Sequence, residues 1–317
     1  MIKVSVVVPT FNRGYLIQQV LNNMSLQTWK DFEVIVVDDG SNDNTEEILK
    51  KWCSRNSRIR YVKFDVNRGI SAARNAGISN SDSEYIAFLD SDDRWHPTKL
   101  EEQMRVFQNS SNIIGLIHTG YTIHELNGRV QHKFPRFKGD VFRRLLSEGR
   151  NSILISSVIV PRKILDDVGL FDEHLICSQD YDLWLRITKK YPVRFVPKLL
   201  VDYYTTHSDR LSLKPKLAAM DYLLLYRKFQ REIELFNVRH RFFYFLAKSL
   251  LKGGESELGR AILLKAIHEN PKDMRYILFL AYSFLIKWDN YVDSRAFDSL
   301  SLIYERMENL FRRYTYI

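Results

Sequence analysis

Three carboxylates, Asp90, Asp92 and Asp93, close the apolar run from Tyr85 to Leu89, and their type and spacing have the most evident capacity for chemistry. All-oxygen clusters suit a hard divalent cation, magnesium or manganese, held by one or two carboxylates while substrate phosphates fill other positions. Without a cation or protons, three acids at one strand end repel one another. A plainer role is also open, because Asp92 or Asp93 can cap a helix beginning near His96-Pro97-Thr98. A second acidic strand end lies upstream, where Val34-Ile-Val-Val37 runs into Asp38, Asp39, Gly40 and Ser41, and it favours the metal reading.

Such strand ends need a scaffold that brings them together. Strand-like and helix-like patterns alternate over Val4–Val8, Leu16–Leu26, Phe32–Val37, Thr45–Trp52 and Ile59–Phe64, which predicts βαβ units and a mostly parallel sheet. The helix at Thr45 has a start signal, with Ser41, Asn42, Asp43 and Asn44 before it and Glu46 and Glu47 in its first turn. In open α/β sheets ligands bind outside the carboxyl ends of strands, so the loops at Pro9–Arg13, Asp38–Ser41 and Asp90–Asp93 are expected to line one crevice. Further on, the pattern predicts a helix over Pro97–Phe107 and strands over Ile113–Tyr121, Ser152–Val160, Val193–Val196 and Leu199–Tyr204. Between them, Tyr181, Trp184, Leu185 and Thr188 share one face of a helix whose start carries Gln179, Asp180 and Asp182. Acids at a helix start favour the dipole and cap free amides, which is a structural role in its own right.

In order, the segments Val6-Val-Val-Pro9-Thr10-Phe-Asn12-Arg13, Val36-Val-Asp38-Asp39-Gly-Ser41, Asn67 to Gly77, Leu89 to Asp93, and Gln179-Asp180-Tyr-Asp182-Leu-Trp184 resemble glycosyltransferase family 2. Each motif is weak alone; five in sequence over Ile2–Ser212 are specific. The resemblance implies a GT-A fold, Rossmann-like with helices flanking the sheet. It also implies an inverting enzyme that moves a sugar from a nucleotide diphosphate sugar, foremost a UDP-sugar, to an acceptor hydroxyl. It places Pro9, Thr10, Asn12 and Asp39, with Asp38 close behind, around the nucleotide base. Arg74 and Asn75 would lie beside the nucleotide, Asp90 on the ribose side, and Asp92 on the metal that bridges the diphosphate. Asp93 would be a second ligand or support the turn, and His207 falls in a loop where related enzymes often carry a histidine near the metal.

Asp180 matches the general base, with Asp182 second and better suited to capping or acceptor-site support. The pair that is commonly Glu-Asp in the family reads Gln179-Asp180 here, which removes a neighbouring charge. Trp184 suits either a core aromatic or a shelf for a sugar ring. A nucleotidyltransferase leaves Gln179–Trp184 without a role, and a non-catalytic nucleotide-binding or helical adaptor would lack a base or ligand that this chain retains.

The 317 residues carry 45% hydrophobic side chains and a formal charge of +9, enough for a sizeable core. The excess is +3 over residues 1–210 and +6 over 211–317. That diffuse charge comes without a recognition motif, so no nucleic-acid partner is expected. Only Cys53 and Cys177 are present, and no basic stretch followed by a signal-like core opens the chain, which together predict a reducing cytoplasmic location. The sequence divides into a catalytic domain over 1–212 and a helical domain over 213–317. The latter has helical patterns at Lys216–Phe236, Arg239–Leu251, Glu255–Glu269, Met274–Ile286 and Ser294–Arg313. Its longest apolar run, Tyr276–Ile286, falls short of the roughly 20 residues that span a bilayer. Aromatics mixed with basic residues there predict either packing on protein or peripheral contact with an anionic membrane, in keeping with polysaccharide or lipid-linked saccharide acceptors and cell-envelope synthesis.

Overall fold

A computed structural model of the chain describes residues 3–149, 152–205 and 214–285. The chain divides into two compact units: Met1–Phe142 with Asn151–His174 and Gln179–Ser208, and Arg143–Arg150 with Leu175–Ser178 and Asp209–Ile317.

The first unit opens with β1 (Val4–Thr10), α1 (Gly14–Ser25), β2 (Phe32–Asp38), α2 (Thr45–Arg55), β3 (Ile59–Lys63), α3 (Ile70–Ser79) and β4 (Tyr85–Phe88). Every residue of β1 and β2 is buried, as expected for strands covered on both faces. Strands β3, β2, β1 and β4 pair in parallel in that order. Their carboxyl ends therefore bring Thr10, Asp38 and the residues after Phe88 to one edge.

Beyond β4 the helical crossovers give way to other connections and the sheet becomes mixed. It continues through β5 (Arg94–Trp95), α4 (Lys99–Gln108), β6 (Leu116–His124), β7 (Val130–Lys133) and α5 (Phe142–Glu148). A 3₁₀ turn (Ile155–Ser157) then leads to β8 (Ile159–Pro161), α6 (Arg162–Val168), α7 (Gln179–Lys190) and β9 (Val193–Tyr204). The full order is β3-β2-β1-β4-β8-β6-β9-β5, with β7 beside β6. Of the strand predicted over Ser152–Val160 only Ile159 and Val160 are in the sheet; Ile155–Ser157 form the turn, where serine side chains compete for backbone partners: Ser157 Oγ donates to Leu154 O at 2.6 Å. The two strands predicted over Val193–Tyr204 are one, and Pro197 falls where the register with β6 slips.

The second unit holds α8 (Pro215–Lys228), α9 (Gln230–Leu235), α10 (Arg239–Lys252), α11 (Ser256–Glu269) and α12 (Met274–Leu285). The helix expected over Lys216–Phe236 breaks at Phe229, whose φ of −115° and ψ of 20° leave the helical region. At Gly259 an added Cβ would meet Leu251 Cγ at 2.7 Å, so α10 and α11 pack closely there. Phe242 and Phe243 are buried, and Tyr222 and Tyr244 stack on Phe245 and Tyr276, so the aromatics of the basic segment pack within the unit. The segments Arg143–Arg150 and Leu175–Ser178 join this unit, although the sequence division keeps them in 1–212; Gly149 lies against Phe245, and Asp221 of α8 binds the backbone of Ile176–Ser178. The helix predicted over Ser294–Arg313 lies outside the described residues.

Gly77 lets α3 approach β1, since a Cβ there would lie 2.4 Å from Val7 Cγ1 and 3.3 Å from Val37 Cγ2. Gly77→Ala should therefore cost about 1–3 kcal/mol of stability, read by urea unfolding, as overpacked cores do; an unchanged midpoint would contradict the close approach.

Candidate active site

The site is built where β1, β2 and β4 end. After β1 the chain turns through Asn12, which adopts a positive φ of 52° that asparagine tolerates better than most residues. Its amide donates to Ser41 Oγ and its side-chain oxygen accepts from Asn42 N, each at 2.8 Å, so the β1 and β2 loops are tied together. Asp43 reinforces the tie and starts α2, accepting from Gly14 N at 3.0 Å and from Thr45 N at 3.0 Å.

Asp38 is fully buried, accepts from Ser41 N at 2.9 Å through Oδ1, and has no hydrogen-bond partner at Oδ2 among the described residues. Thr10, its register neighbour on β1, likewise has an unpartnered, buried hydroxyl. Asp39 spends both oxygens on backbone, accepting from Arg68 N at 2.6 Å and Gly69 N at 2.9 Å. Burial raises its proton affinity despite those donors, with Asp38 adding to the effect. Of the two acids, Asp38 thus keeps the buried unpartnered acceptor, while Asp39 also organises the loop before α3.

After β4, the carboxylates of Asp90, Asp92 and Asp93 converge, with ligand atoms all within 4.8 Å of one another. Two arginines offset the charge. Arg13 lies 3.1 Å from Asp92 Oδ2 and 3.2 Å from Ser91 Oγ. Arg74 of α3, almost wholly buried, donates from one terminal nitrogen to Asp90 Oδ1 at 2.7 Å and rests over the Phe171 ring at 5.4 Å. Its Nε and other terminal nitrogen have no partner among the described residues. Asp93 is held from behind by Ser156, whose hydroxyl donates to Oδ2 at 2.5 Å, and by the Tyr204 backbone. Burial, then Asp92 and Asp90, push its carboxyl well above the usual range. Its Oδ1 is buried without a partner among the described residues. An oxygen cluster with an unsatisfied, protonation-prone member fits a hard divalent cation, and among the described residues these three carboxylates could hold it.

Asp180 stands in the first turn of α7 and accepts from its neighbour Tyr181 N at 2.8 Å. The residue keeps some exposed surface, yet protein encloses its carboxyl enough for desolvation to raise the pKa to about 6. Arg74 opposes that rise and Asp90 adds to it, so the base candidate and the acidic cluster sense each other. Gln179 is buried, with Oε1 unpartnered among the described residues.

The other candidates are engaged in structure. Asp182 is fully buried and binds Arg186 Nε at 2.8 Å, and Arg186 in turn donates to the carbonyls of Val168, Gly169 and Leu170. Trp184 has no exposed surface, donates to Ile153 O at 3.1 Å and lies 6.5 Å from the Phe88 ring, so it offers no open face for a sugar. Asn75 pins the loop after α6, donating to Phe171 O at 3.0 Å and accepting from Phe171 N at 3.0 Å. Pro9 is buried within β1, and His207 lies outside the described residues.

Residues 5–167, about half of the chain, match the family model described as Glycosyl transferase family 2. The chain belongs to glycosyltransferase family 2. An uncharacterized glycosyltransferase of Rickettsia conorii is 32% identical over 219 residues, 67% of this chain and 35% of that protein. This chain thus spans about a third of the length of the first relatives it matches. Among solved structures, TarS 1-349 of S. aureus in complex with UDP-GlcNAc aligns with a TM-score of 0.58 at 19% identity, over 92% of this chain and 95% of that one. The mannosyltransferase PcManGT of Pyrobaculum calidifontis in complex with GDP-Man and Mn2+ aligns with a TM-score of 0.59 at 17% identity, over 98% and 87%. The fold is GT-A, with a helical C-terminal region.

Two contributors escaped the family 2 motifs. Ser156 bridges Asp93 and the amide of Asp90, which donates to it at 3.1 Å, and Phe171 floors Arg74. Both come from far along the chain in segments with no motif of their own. Ser156→Ala should weaken manganese binding by about tenfold, as loss of an outer partner does; a titration giving the wild-type affinity would reduce the hydroxyl to a structural link.

Proposed function

We propose that this family 2 enzyme is a metal-dependent, inverting glycosyltransferase that moves a sugar from a nucleotide diphosphate sugar, foremost a UDP-sugar, to an acceptor hydroxyl. The observation that carries the reading is Asp180: an enclosed carboxylate with a raised pKa, electrostatically linked through Arg74 and Asp90 to a cation-ready cluster. The solved relatives support a nucleotide-sugar donor, since TarS was captured with UDP-GlcNAc and PcManGT with GDP-Man and Mn2+.

In this reading Pro9, Thr10, Asn12, Asp38 and Asp39 surround the base. The buried atoms of Thr10 and Asp38 that lack a partner among the described residues support this assignment, because buried polar atoms left unpaired are costly. Arg74 and Asn75 flank the nucleotide, and Asp90 takes the ribose side. Asp92, with His207, is assigned to hold manganese or magnesium, and Asp93 supports Asp92. A bound divalent cation would stabilise the diphosphate as its negative charge grows.

The acceptor oxygen attacks the anomeric carbon from the face opposite the diphosphate. That bond forms as the sugar–phosphate bond breaks, the electron pair leaves with the diphosphate, and the configuration inverts. Asp180 takes the hydroxyl proton. A pKa near 6 leaves it ionised at neutral pH while keeping it basic enough to work. Gln179 and Asp182 support the base.

The acceptor is assigned to saccharides or lipid-linked saccharides of polysaccharide synthesis. Peripheral contact with an anionic membrane on its cytoplasmic side is supported by the basic excess of residues 211–317 and by apolar side chains exposed on α12, including Leu278 and Phe284. No helix among the described residues is long and apolar enough to cross a membrane.

Nucleotide binding tests the donor site. UDP or GDP with manganese should raise the melting temperature, and chelator or Asp92→Ala should remove the shift; full turnover in Asp92→Ala would remove the metal assignment. The pH profile tests the base. With the carboxyl's pKa raised to about 6, kcat/KM should fall as pH drops through that value, because the protonated form cannot accept the hydroxyl proton. Asp180→Asn should lose transfer by on the order of a hundredfold while still binding nucleotide. A wild-type profile flat from about pH 5 to pH 8 would argue against Asp180 as base.

A further inference from the structure

Asp180 occupies the first turn of α7, and the first turn is where a helix is least constrained by its own hydrogen bonds. From its own side α7 is held firmly, through the Asp182 to Arg186 pair, the Trp184 to Ile153 hydrogen bond and the buried Tyr181. The residues just before it, Leu175–Ser178, belong to the second unit and are covalently continuous with Gln179. There, the fully enclosed carboxylate of Asp221 on α8 gathers three successive backbone amides. Its Oδ2 accepts from Ile176 N at 3.1 Å, Cys177 N at 2.6 Å and Ser178 N at 2.6 Å, and its Oδ1 accepts from Ile176 N at 3.2 Å.

Three consecutive amides aimed at one anion form a nest, and the bound carboxylate fixes their backbone angles. Charge-assisted bonds of this kind are stronger than neutral ones, and removing the carboxylate takes the shared acceptor from three part-buried amides. The last clamped residue, Ser178, stands two positions before Asp180. A change in the angle at which the chain enters α7 is therefore passed directly to the base.

We infer that Asp221, which lies outside the segment matching the family model, is a positioning residue for Asp180, acting through the backbone of Ile176, Cys177 and Ser178. The inference rests on the reading of Asp180 as base. The clamp lies within the second unit and reaches Asp180 only along the chain, through the residues that lead into Gln179. The effect is geometric, exerted through the backbone that Asp221 holds.

The experiment is a double-mutant cycle on the full chain, reading manganese-supported hydrolysis of UDP-GlcNAc and GDP-mannose, with water as acceptor. Asp221→Ala should lower kcat by about 10- to 100-fold, the range expected when a catalytic group is misplaced by about an ångström. Donor KM, and the affinity for UDP or GDP with manganese by calorimetry, should stay within about twofold, because the donor groups lie elsewhere. Hydrogen exchange at the amides of 176–178 should accelerate. Asp221→Asn, which keeps one acceptor oxygen, should give an intermediate loss and covers the case in which the alanine variant fails to fold. In an Asp180→Asn background, Asp221→Ala should cost no further turnover, since the two act through one group. The same fold-loss in both backgrounds would overturn the positioning role while leaving the base assignment intact. Wild-type turnover in Asp221→Ala with opened amides would do likewise. Wild-type turnover in Asp180→Asn alone would overturn the base assignment, and the positioning role with it.

Discussion

Crowding of negative charge at the end of β4 is the constraint around which the rest of this structure is arranged. Asp90, Asp92 and Asp93 bring their oxygens within 4.8 Å, and one of them is fully buried. Like charges at that range in a low dielectric are tolerable only with counter-charge, protons or a cation. The protein supplies the first two in part. Arg13 meets Asp92 and Arg74 meets Asp90, while Asp93, with no arginine, is driven toward protonation by burial and its neighbours. The result is a site whose electrostatics remain incompletely satisfied, which is the ground on which a hard cation is proposed there.

Each counter-charge constrains an element. Arg74 can lie buried beside Asp90 only if α3 sits close on the sheet, and Gly77 permits that approach by placing no side chain against Val7. Arg13 reaches Asp92 from the loop after β1, and that loop is held in shape by Asn12, Ser41 and Asp43. Ser156 holds Asp93 and the amide of Asp90 together, which explains why the chain abandons a regular strand before β8 and spends residues on a 3₁₀ turn.

This division also accounts for what could be read from the residues alone. The parallel half was legible because its signals are local: apolar strands of a few residues, each followed by Asp, Asn or Thr, with helical periodicity between them. The acidic ends of β2 and β4 were legible for the same reason. Ser156 and Phe171 were not, because their roles depend on partners 63 and 97 positions away in the chain (Asp93 and Arg74), and neither stands in a motif. The stretch Ser152–Val160 reads as strand because Ile153, Ile155, Val158, Ile159 and Val160 are β-branched, whereas the side-chain hydrogen bonds of its serines become visible only in three dimensions. Trp184 was ambiguous in sequence, as an aromatic beside a catalytic motif suits either a sugar or the core; its indole N–H, spent on the Ile153 carbonyl, decides for the core.

In the proposed mechanism, the candidate base Asp180 has a raised proton affinity without an acid next to it in the sequence. An acid in place of Gln179 would add a like charge beside the base and raise its proton affinity by repulsion. Gln179 brings no charge, yet Asp180 is raised to about 6, and the largest cause is desolvation. Arg74 acts in the opposite sense, so the value is a compromise between enclosure, which favours the neutral acid, and a guanidinium shared with Asp90, which favours the carboxylate. Enclosure without the arginine would hold the carboxyl protonated to higher pH, and the arginine without enclosure would leave a weak base. The same buried guanidinium thereby restrains repulsion within the acidic cluster and keeps the neighbouring carboxylate in a range where it can accept a proton near neutrality.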